Sequence, residues 1–140
     1  MKGSPDFLRL IKDGAHDGVF NMAVDEFLLR TQIEQKSRNS ILRFYRFSEP
    51  VITVGYAMWR AVQKETEHQL SAIQRITGGG MVMHGGGDLT YSLIVPLVEN
   101  STLRKVKESY FLIHEELRKA LSYFGIKAEL FDRAGGTEGK

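Results

Sequence analysis

Cysteine is missing from this chain of 140 residues. Its absence excludes disulfides, cysteine-ligated metal and a thiol nucleophile within the chain. A strong excess of charge is lacking too. Nineteen basic and 17 acidic residues leave a net charge of +2, too little to indicate nucleic acid or a membrane surface as partner. No apolar run approaches the ~20 residues of a membrane span, and the N-terminal Met1-Lys-Gly-Ser-Pro-Asp6 has no apolar leader segment. The expectation is a cytoplasmic, reducing location. The length suits one domain with a single core rather than two. A hydrophobic content of 42% with 26% charged residues places it among ordinary globular proteins.

What is abundant is glycine, and it is concentrated. Of the 14 glycines, two triplets, Gly78-Gly79-Gly80 and Gly85-Gly86-Gly87, bracket the short apolar segment Met81-Val82-Met83-His84. Lacking a Cβ, glycine lets main chain approach a ligand closely and adopt positive φ at little cost. Standard nucleotide motifs fail at this place. A dinucleotide fingerprint starting at Gly78 needs glycine where Met83 stands, and one starting at Gly85 needs it where Thr90 stands. A phosphate-binding P-loop needs Gly-Lys-Ser/Thr four residues after its first glycine, where Gly80 is instead followed by Gly85-Gly86-Gly87.

The surrounding pattern predicts mixed secondary structure. Phe7 to Ile11 reads as a first strand closed by Lys12-Asp13-Gly14, and Asn21 as the N-cap of a helix to about Gln35. That helix places Phe20, Val24, Phe27 and Leu28 on one face. Ile41 to Phe47 and Val51 to Val54, separated by Ser48-Glu49-Pro50, read as a hairpin or two adjacent strands. Ala61 to Leu70 reads as a short surface helix, and Ala72 to Ile76, Met81 to His84 and Leu89 to Val95 as strands. A helix capped by Ser101 or Thr102 carries Leu103, Val106, Tyr110, Ile113, Leu117, Leu121 and Phe124 at helical spacing and stops at Gly125. Ile126 to Phe131 is a candidate last strand, and 133–140 has the composition of a flexible tail. The predicted class is α+β, or mixed α/β: a mixed, largely antiparallel sheet flanked by helices, in one domain spanning 1–132.

Candidate site residues cluster at the first triplet. Arg75 lies in the strand Ala72 to Ile76, separated by two residues from the first triplet, and could set its guanidinium beside exposed loop amides, a pairing that suits a phosphate or carboxylate. Alternation along a strand sends Val82 and His84 one way and Met81 and Met83 the other. The bland reading is two tight turns with Arg75 in a surface ion pair. Metal-ligand spacing is absent around His84, and His16, His68 and His114 are scattered and expected to be solvated. Asp25-Glu26 is either an acid pair near a site or a solvated helix face. Tyr91 is expected to pack, with Ser92 alternating beside it. Arg104, Lys105, Lys107, Arg118 and Lys119 read as the wet side of the last helix, or as a docking face for an acidic partner.

Three segments in order resemble the biotin/lipoate protein ligase family, nearest to lipoate-protein ligase A and octanoyltransferases. They are Gly18-Val-Phe-Asn21-Met-Ala-Val-Asp25-Glu26, Leu42-Arg43-Phe-Tyr45 through Pro50-Val-Ile-Thr-Val-Gly55-Tyr56, and Arg75-Ile-Thr-Gly-Gly-Gly-Met-Val-Met-His84 with Asp88-Leu-Thr-Tyr91-Ser. The resemblance runs over nearly the whole chain but covers the N-terminal half of a typical member. It implies a fold similar to the catalytic domain of biotin protein ligases and class II synthetases. It also implies binding of lipoyl or octanoyl groups for transfer to a lysine of a lipoyl domain in protein lipoylation. Ligases of the family use ATP, with magnesium as its companion, to form a lipoyl-adenylate. The octanoyltransferases pass octanoyl from acyl carrier protein, or between a lipoyl domain and the related H-protein, through a cysteine thioester. By resemblance Arg75, Thr77, Gly78, Gly79 and Gly80 line the acyl-adenylate pocket, His84 supports that wall, and Arg43 and Gly55 lie nearby.

Departures from the family pattern are specific. Met81 replaces a small residue, Gln74 a common second arginine and Met58 a frequent glutamine. Gly85 to Gly87 is richer in glycine than the usual ligase loop. No catalytic lysine segment can be read around Lys140, and the octanoyltransferase cysteine has no counterpart, so this chain is expected to lack the catalytic lysine or cysteine, the catalytic residue is unassigned and unaided activity is in question. The alternative reading is a non-catalytic acyl- or nucleotide-binding subunit completed by a second chain.

Overall fold

The computed structural model describes residues 7–65, 72–97 and 102–130. The chain divides into two compact units between Pro96 and Leu97. The first holds two three-stranded sheets, each mixed. In one, β2 (Ser40–Phe47) lies between β1 (Leu8–His16), to which it is parallel, and β6 (Thr90–Ile94), to which it is antiparallel. In the other, β3 (Val51–Val54) lies between β4 (Ala72–Gln74), parallel to it, and β5 (Met81–His84), antiparallel to it. The architecture is therefore mixed α/β, with one pairing of each kind in each sheet rather than a mainly antiparallel one. The expected hairpin or adjacency of β2 and β3 does not form. The Ser48-Glu49-Pro50 turn passes the chain from one sheet to the other, and each strand becomes the centre of its own sheet.

Helix α1 (Gly18–Glu34) packs on both sheets. Its N-cap is Asp17, whose carboxylate accepts the Phe20 N–H at 2.8 Å, and not Asn21, which sits one turn inside. The inward side of α1 also differs from the expected apolar stripe. Gly18, Asn21 and Leu28 are buried, Asp25 is half-buried, and Phe20 and Phe27 are exposed. The reason lies across the interface. Alternation on β2 buries Ile41, Arg43, Tyr45 and Phe47, so the helix must meet a buried guanidinium with polar groups. Gly18 fits because a Cβ there would overlap Ile73 Cδ1 and lie 2.9 Å from Val51 Cγ2.

Helix α2 (Tyr56–Glu65) starts five residues earlier than the sequence suggests, directly after β3. His68 and the rest of its predicted extent to Leu70 lie outside the described residues. The second unit begins with a 3-10 turn (Thr102–Arg104) and continues as α3 (Val106–Tyr123). Thr102 starts that turn instead of capping the helix, whose N-cap is Lys105 with no side-chain cap bond; Ser101 lies outside the described residues. The helix stops as expected at Gly125, where the Ile126 N–H reaches back to the Leu121 carbonyl at 3.1 Å. Its charged side is laced by Lys105–Glu108, Arg118–Glu115 and Lys119–Glu116 pairs. Residues 126–130 are not in a strand, and Phe131 and the 133–140 tail lie outside the described residues. Among the described residues no helix is long and apolar enough to cross a membrane.

Candidate functional site

Two polar centres stand out in the first unit, one buried and one open. The buried centre is Arg43, whose side chain has no exposure. Its guanidinium donates from Nε and Nη2 to Asp13 Oδ2 at 3.1 and 2.8 Å, and from Nη1 to Asp25 Oδ1 at 2.8 Å. It also donates to the Asn21 carbonyl and to Asn21 Oδ1, at 3.1 and 2.8 Å. A bulge in β1 between Lys12 and Ala15 brings Asp13 round to this point. Asp25 accepts in addition from the Tyr45 hydroxyl at 3.0 Å and from the Ser92 hydroxyl. Arg43 also lies 4.1 Å over the Tyr45 ring. Burial, then the Asp25 charge, pushes the Tyr45 phenol up to about 12. By resemblance Arg43 is expected to lie near the acyl pocket; in the structure its side chain is fully enclosed by protein. Its hydrogen bonds run to β1, α1 and no glycine of the loop, so it ties α1 to the first sheet.

Asp13 gives that centre a measurable acid signature. The Arg43 hydrogen bonds, then that of His16, hold its carboxyl at about 2 against an ordinary 3.8. A carboxyl lowered in the folded state contributes stability that is complete above its unfolded value and is lost as pH falls through its folded value. The window therefore runs from 3.8 down to about 2. Acid unfolding followed by circular dichroism should lose slope in that window in Asp13→Asn. An unchanged slope would mean that Arg43 does not hold the carboxylate.

The open centre is the loop between β4 and β5. Arg75 donates from Nη2 to the Gly78 and Gly80 carbonyls at 3.2 and 3.0 Å, and from Nη1 to Thr53 Oγ1 at 2.7 Å. Its Nε reaches Thr77 Oγ1 at 3.4 Å. The main chain adds to this: the Gly55 N–H donates to the Gly80 carbonyl at 3.2 Å and the Tyr56 N–H to the Thr77 carbonyl at 3.0 Å. Three loop carbonyls, those of Thr77, Gly78 and Gly80, are thus bound to the β3–α2 junction and Arg75. Two glycines make the approach possible. Gly79 has φ of 94°, which disfavours any side chain. A Cβ on Gly55 would overlap the Gly79 carbonyl oxygen and lie 2.7 Å from the Gly78 carbonyl carbon.

The direction in which Arg75 points differs from the expected one. Its donors point inward to carbonyls, so it braces the loop instead of standing beside the loop amides. Among the described residues the N–H groups of Gly78, Gly79 and Gly80 have no protein acceptor. A Cβ at Gly78 or Gly80 would meet open space. The loop consequently offers N–H donors without protein partners among the described residues, which is the chemistry of an anion or carbonyl-oxygen site.

His84 sits beside the brace. Its Nε2 is 2.8 Å from Thr53 Oγ1, and its ring lies 4.3 Å from that of Phe47. Burial first, then the Arg75 charge, lowers its pKa, with Asp88 opposing. Met81 and Met83 project from the other face of β5 and are exposed. The second glycine triplet begins the turn from β5 to β6. There the Gly85 N–H is capped by Asp88 Oδ2 at 2.8 Å, and the Asp88 N–H returns to the Gly85 carbonyl at 3.3 Å. Next to the loop, Tyr56, Ala57, Trp59, Arg60 and Gln74 line a cleft of about 450 Å³.

The structure thus gathers Arg75, Thr77, Gly78, Gly79, Gly80, His84 and Gly55 in one place and puts Arg43 in another. Sequence reasoning missed Thr53, because a threonine in a β-branched strand looks like strand propensity alone. Its one legible signal is position, two residues before a required glycine. The acids separate as well: Asp25 faces Arg43, while Glu26 pairs with Arg30 at the surface. His16 is half-buried against Asp13 and the Phe20 ring, rather than solvated. Tyr91 packs against Phe44 as expected. Among the described residues no group of three or more His, Asp or Glu side chains is placed to hold a metal ion.

The family described as lipoyl protein ligase A/B catalytic domain matches residues 17–137. Octanoyltransferase LipM of Halalkalibacterium halodurans is 35% identical over 126 residues, covering 86% of this chain and 44% of the relative. Octanoyltransferase LipM of Moorella thermoacetica is 32% identical over 137 residues, covering 93% of this chain and 49% of the relative. A solved structure of a lipoate protein ligase candidate from T. acidophilum superposes with a TM-score of 0.60 at 25% identity, over 89% of this chain and 52% of that one. The chain spans about half the length of the relatives it matches.

Proposed function

The chain belongs to the lipoyl protein ligase A/B catalytic domain family, and from that premise we propose that it supplies the acyl-binding wall for octanoyl transfer. The acyl group passes from a thioester donor to a lysine amine of a lipoyl domain or the related H-protein. The supporting observation is the braced loop, whose Gly78–Gly80 N–H groups are without protein acceptors among the described residues. Preset N–H donors stabilise the negative charge that develops on an acyl carbonyl oxygen during transfer. Exposed methionines at 81 and 83 provide adaptable apolar surface for an unbranched chain. The names of the relatives favour octanoyl over lipoyl. The octanoyl reading needs no ATP. ATP and magnesium attach to the ligase reading, and no residue is assigned to magnesium.

Calorimetric titration of the full chain with ketone analogues of octanoyl and lipoyl thioesters tests this, using wild type and Arg75→Ala. Losing the charged hydrogen bonds of Arg75 removes about 1.5–3 kcal/mol of loop support, so binding should weaken about tenfold or more. The octanoyl mimic should bind at least as well as the lipoyl one. Equal affinity in wild type and Arg75→Ala, or no binding by either, would sink the proposal.

A further inference from the structure

Thr53 is fully buried at the centre of the second sheet, yet its hydroxyl is the meeting point of two ionisable side chains. Register explains how. Thr53 pairs with Ile73 on β4 and Val82 on β5, while Val51 pairs with His84. Alternation then puts Thr53, Val82 and His84 on one face of the sheet. Arg75 follows Ile73 by two residues and reaches Thr53 from the same side. Thr53 Oγ1 thus lies 2.7 Å from Arg75 Nη1 and 2.8 Å from His84 Nε2.

The proton inventory of this triplet is restrictive. A guanidinium only donates, so Thr53 Oγ1 accepts from Arg75. The hydroxyl has one proton of its own, and His84 Nε2 is the acceptor within reach. That arrangement needs an imidazole protonated on Nδ1 alone. If Nε2 also carried a proton, Thr53 would have to accept from two cationic groups, and its own proton would lose its acceptor. The same Arg75 holds the Gly78 and Gly80 carbonyls, so the strain would pass directly to the loop.

We infer that Thr53 is a positioning residue whose hydroxyl couples the neutral His84 imidazole to the Arg75 brace, so that protonating His84 loosens the Gly78–Gly80 loop. The charged groups acting on His84 are Arg75, ahead of the loop, and Asp88, in the turn to β6. From β2 it meets the Phe47 ring and from β3 the Thr53 hydroxyl. The functional weight of this coupling rests on the loop being the acyl wall. The coupling itself is read from the loop and the imidazole, without any acyl ligand, so its failure is distinct from failure of acyl binding.

NMR of the full chain tests it. Imidazole nitrogen shifts report the tautomer and titration of His84. Exchange protection of the Gly55 and Tyr56 amides reports loop docking, because these two donate to the Gly80 and Thr77 carbonyls. In wild type His84 should carry its proton on Nδ1, and amide protection should fall with the same pH midpoint as His84 titrates. Asp88→Asn should move both midpoints down together, since it removes the charge that favours the imidazolium. Thr53→Val should raise the His84 midpoint and lower Gly55 and Tyr56 protection at least tenfold at pH 7, while Thr53→Ser restores both. An Nε2–H tautomer, separate midpoints in wild type, or Val and Ser variants that behave alike would overturn the inference. The wild-type and Asp88→Asn titrations decide the matter even if Thr53→Val does not fold.

Discussion

Arg43→Met should be the most destabilising single substitution in the first unit, costing about 3–5 kcal/mol in denaturant unfolding. Domains of this size hold only about 5–15 kcal/mol in total, so a large unfolded fraction is expected at moderate temperature. The cost arises from what methionine leaves behind. Asp13 and Asp25 lose the cation that both accept from, and Asn21 Oδ1 loses its donor. A half-satisfied polar cluster is worse than either a complete one or an apolar one. Combining Arg43→Met with Asp13→Asn and Asp25→Asn should therefore recover part of the loss, a coupling expected of groups in one network. Purely additive losses would contradict this reading.

Gly55→Ala should have the largest effect on the open site. The new methyl would overlap the Gly79 carbonyl oxygen, and a backbone obstacle cannot be rotated aside as a side chain can. Either β3 or the loop must move, at about 1–3 kcal/mol for overpacking. Movement of the loop breaks the Gly55–Gly80 and Tyr56–Thr77 hydrogen bonds together. Affinity for an octanoyl mimic should then fall at least tenfold, more than the stability loss alone would suggest. Gly78→Ala is the contrasting variant, because a Cβ there meets open space, and it should leave the fold intact. A Gly55→Ala protein with native melting temperature and native affinity would show that close approach is not required.

How far the sequence discloses these features depends on whether the signal is local. Met81–His84 is legible to the residue, because alternation and flanking glycines bound it on both sides. The stop of α3 at Gly125 is equally local. The start of α1 is not, since Asp17 and Asn21 are both good caps and only packing consigns Asn21 to the interior. There its amide donates to the His16 and Arg46 carbonyls. The β2–β3 connection reads like a hairpin because three turn residues suit one, whereas strand partners contributed from residues 72–84 decide the sheet. Arg43 illustrates the same limit. Nothing within β2 marks its arginine as buried, since its carboxylate partners lie 30 and 18 residues away. At the open site the glycines mark the place correctly, but the direction of Arg75 depends on which loop groups face it. Carbonyl against amide is a matter of loop conformation, which composition does not encode.

The proposed function requires the N–H groups of Gly78 to Gly80 to receive an acyl carbonyl oxygen. Its most direct test is amide NMR of the full chain titrated with a ketone analogue of an octanoyl thioester. Saturable downfield shifts are expected at the Gly78, Gly79 and Gly80 amides, with smaller changes at Met81 and Met83 and none at the Arg43 centre. Shifts confined to other residues, with the three glycine amides unmoved, would contradict it.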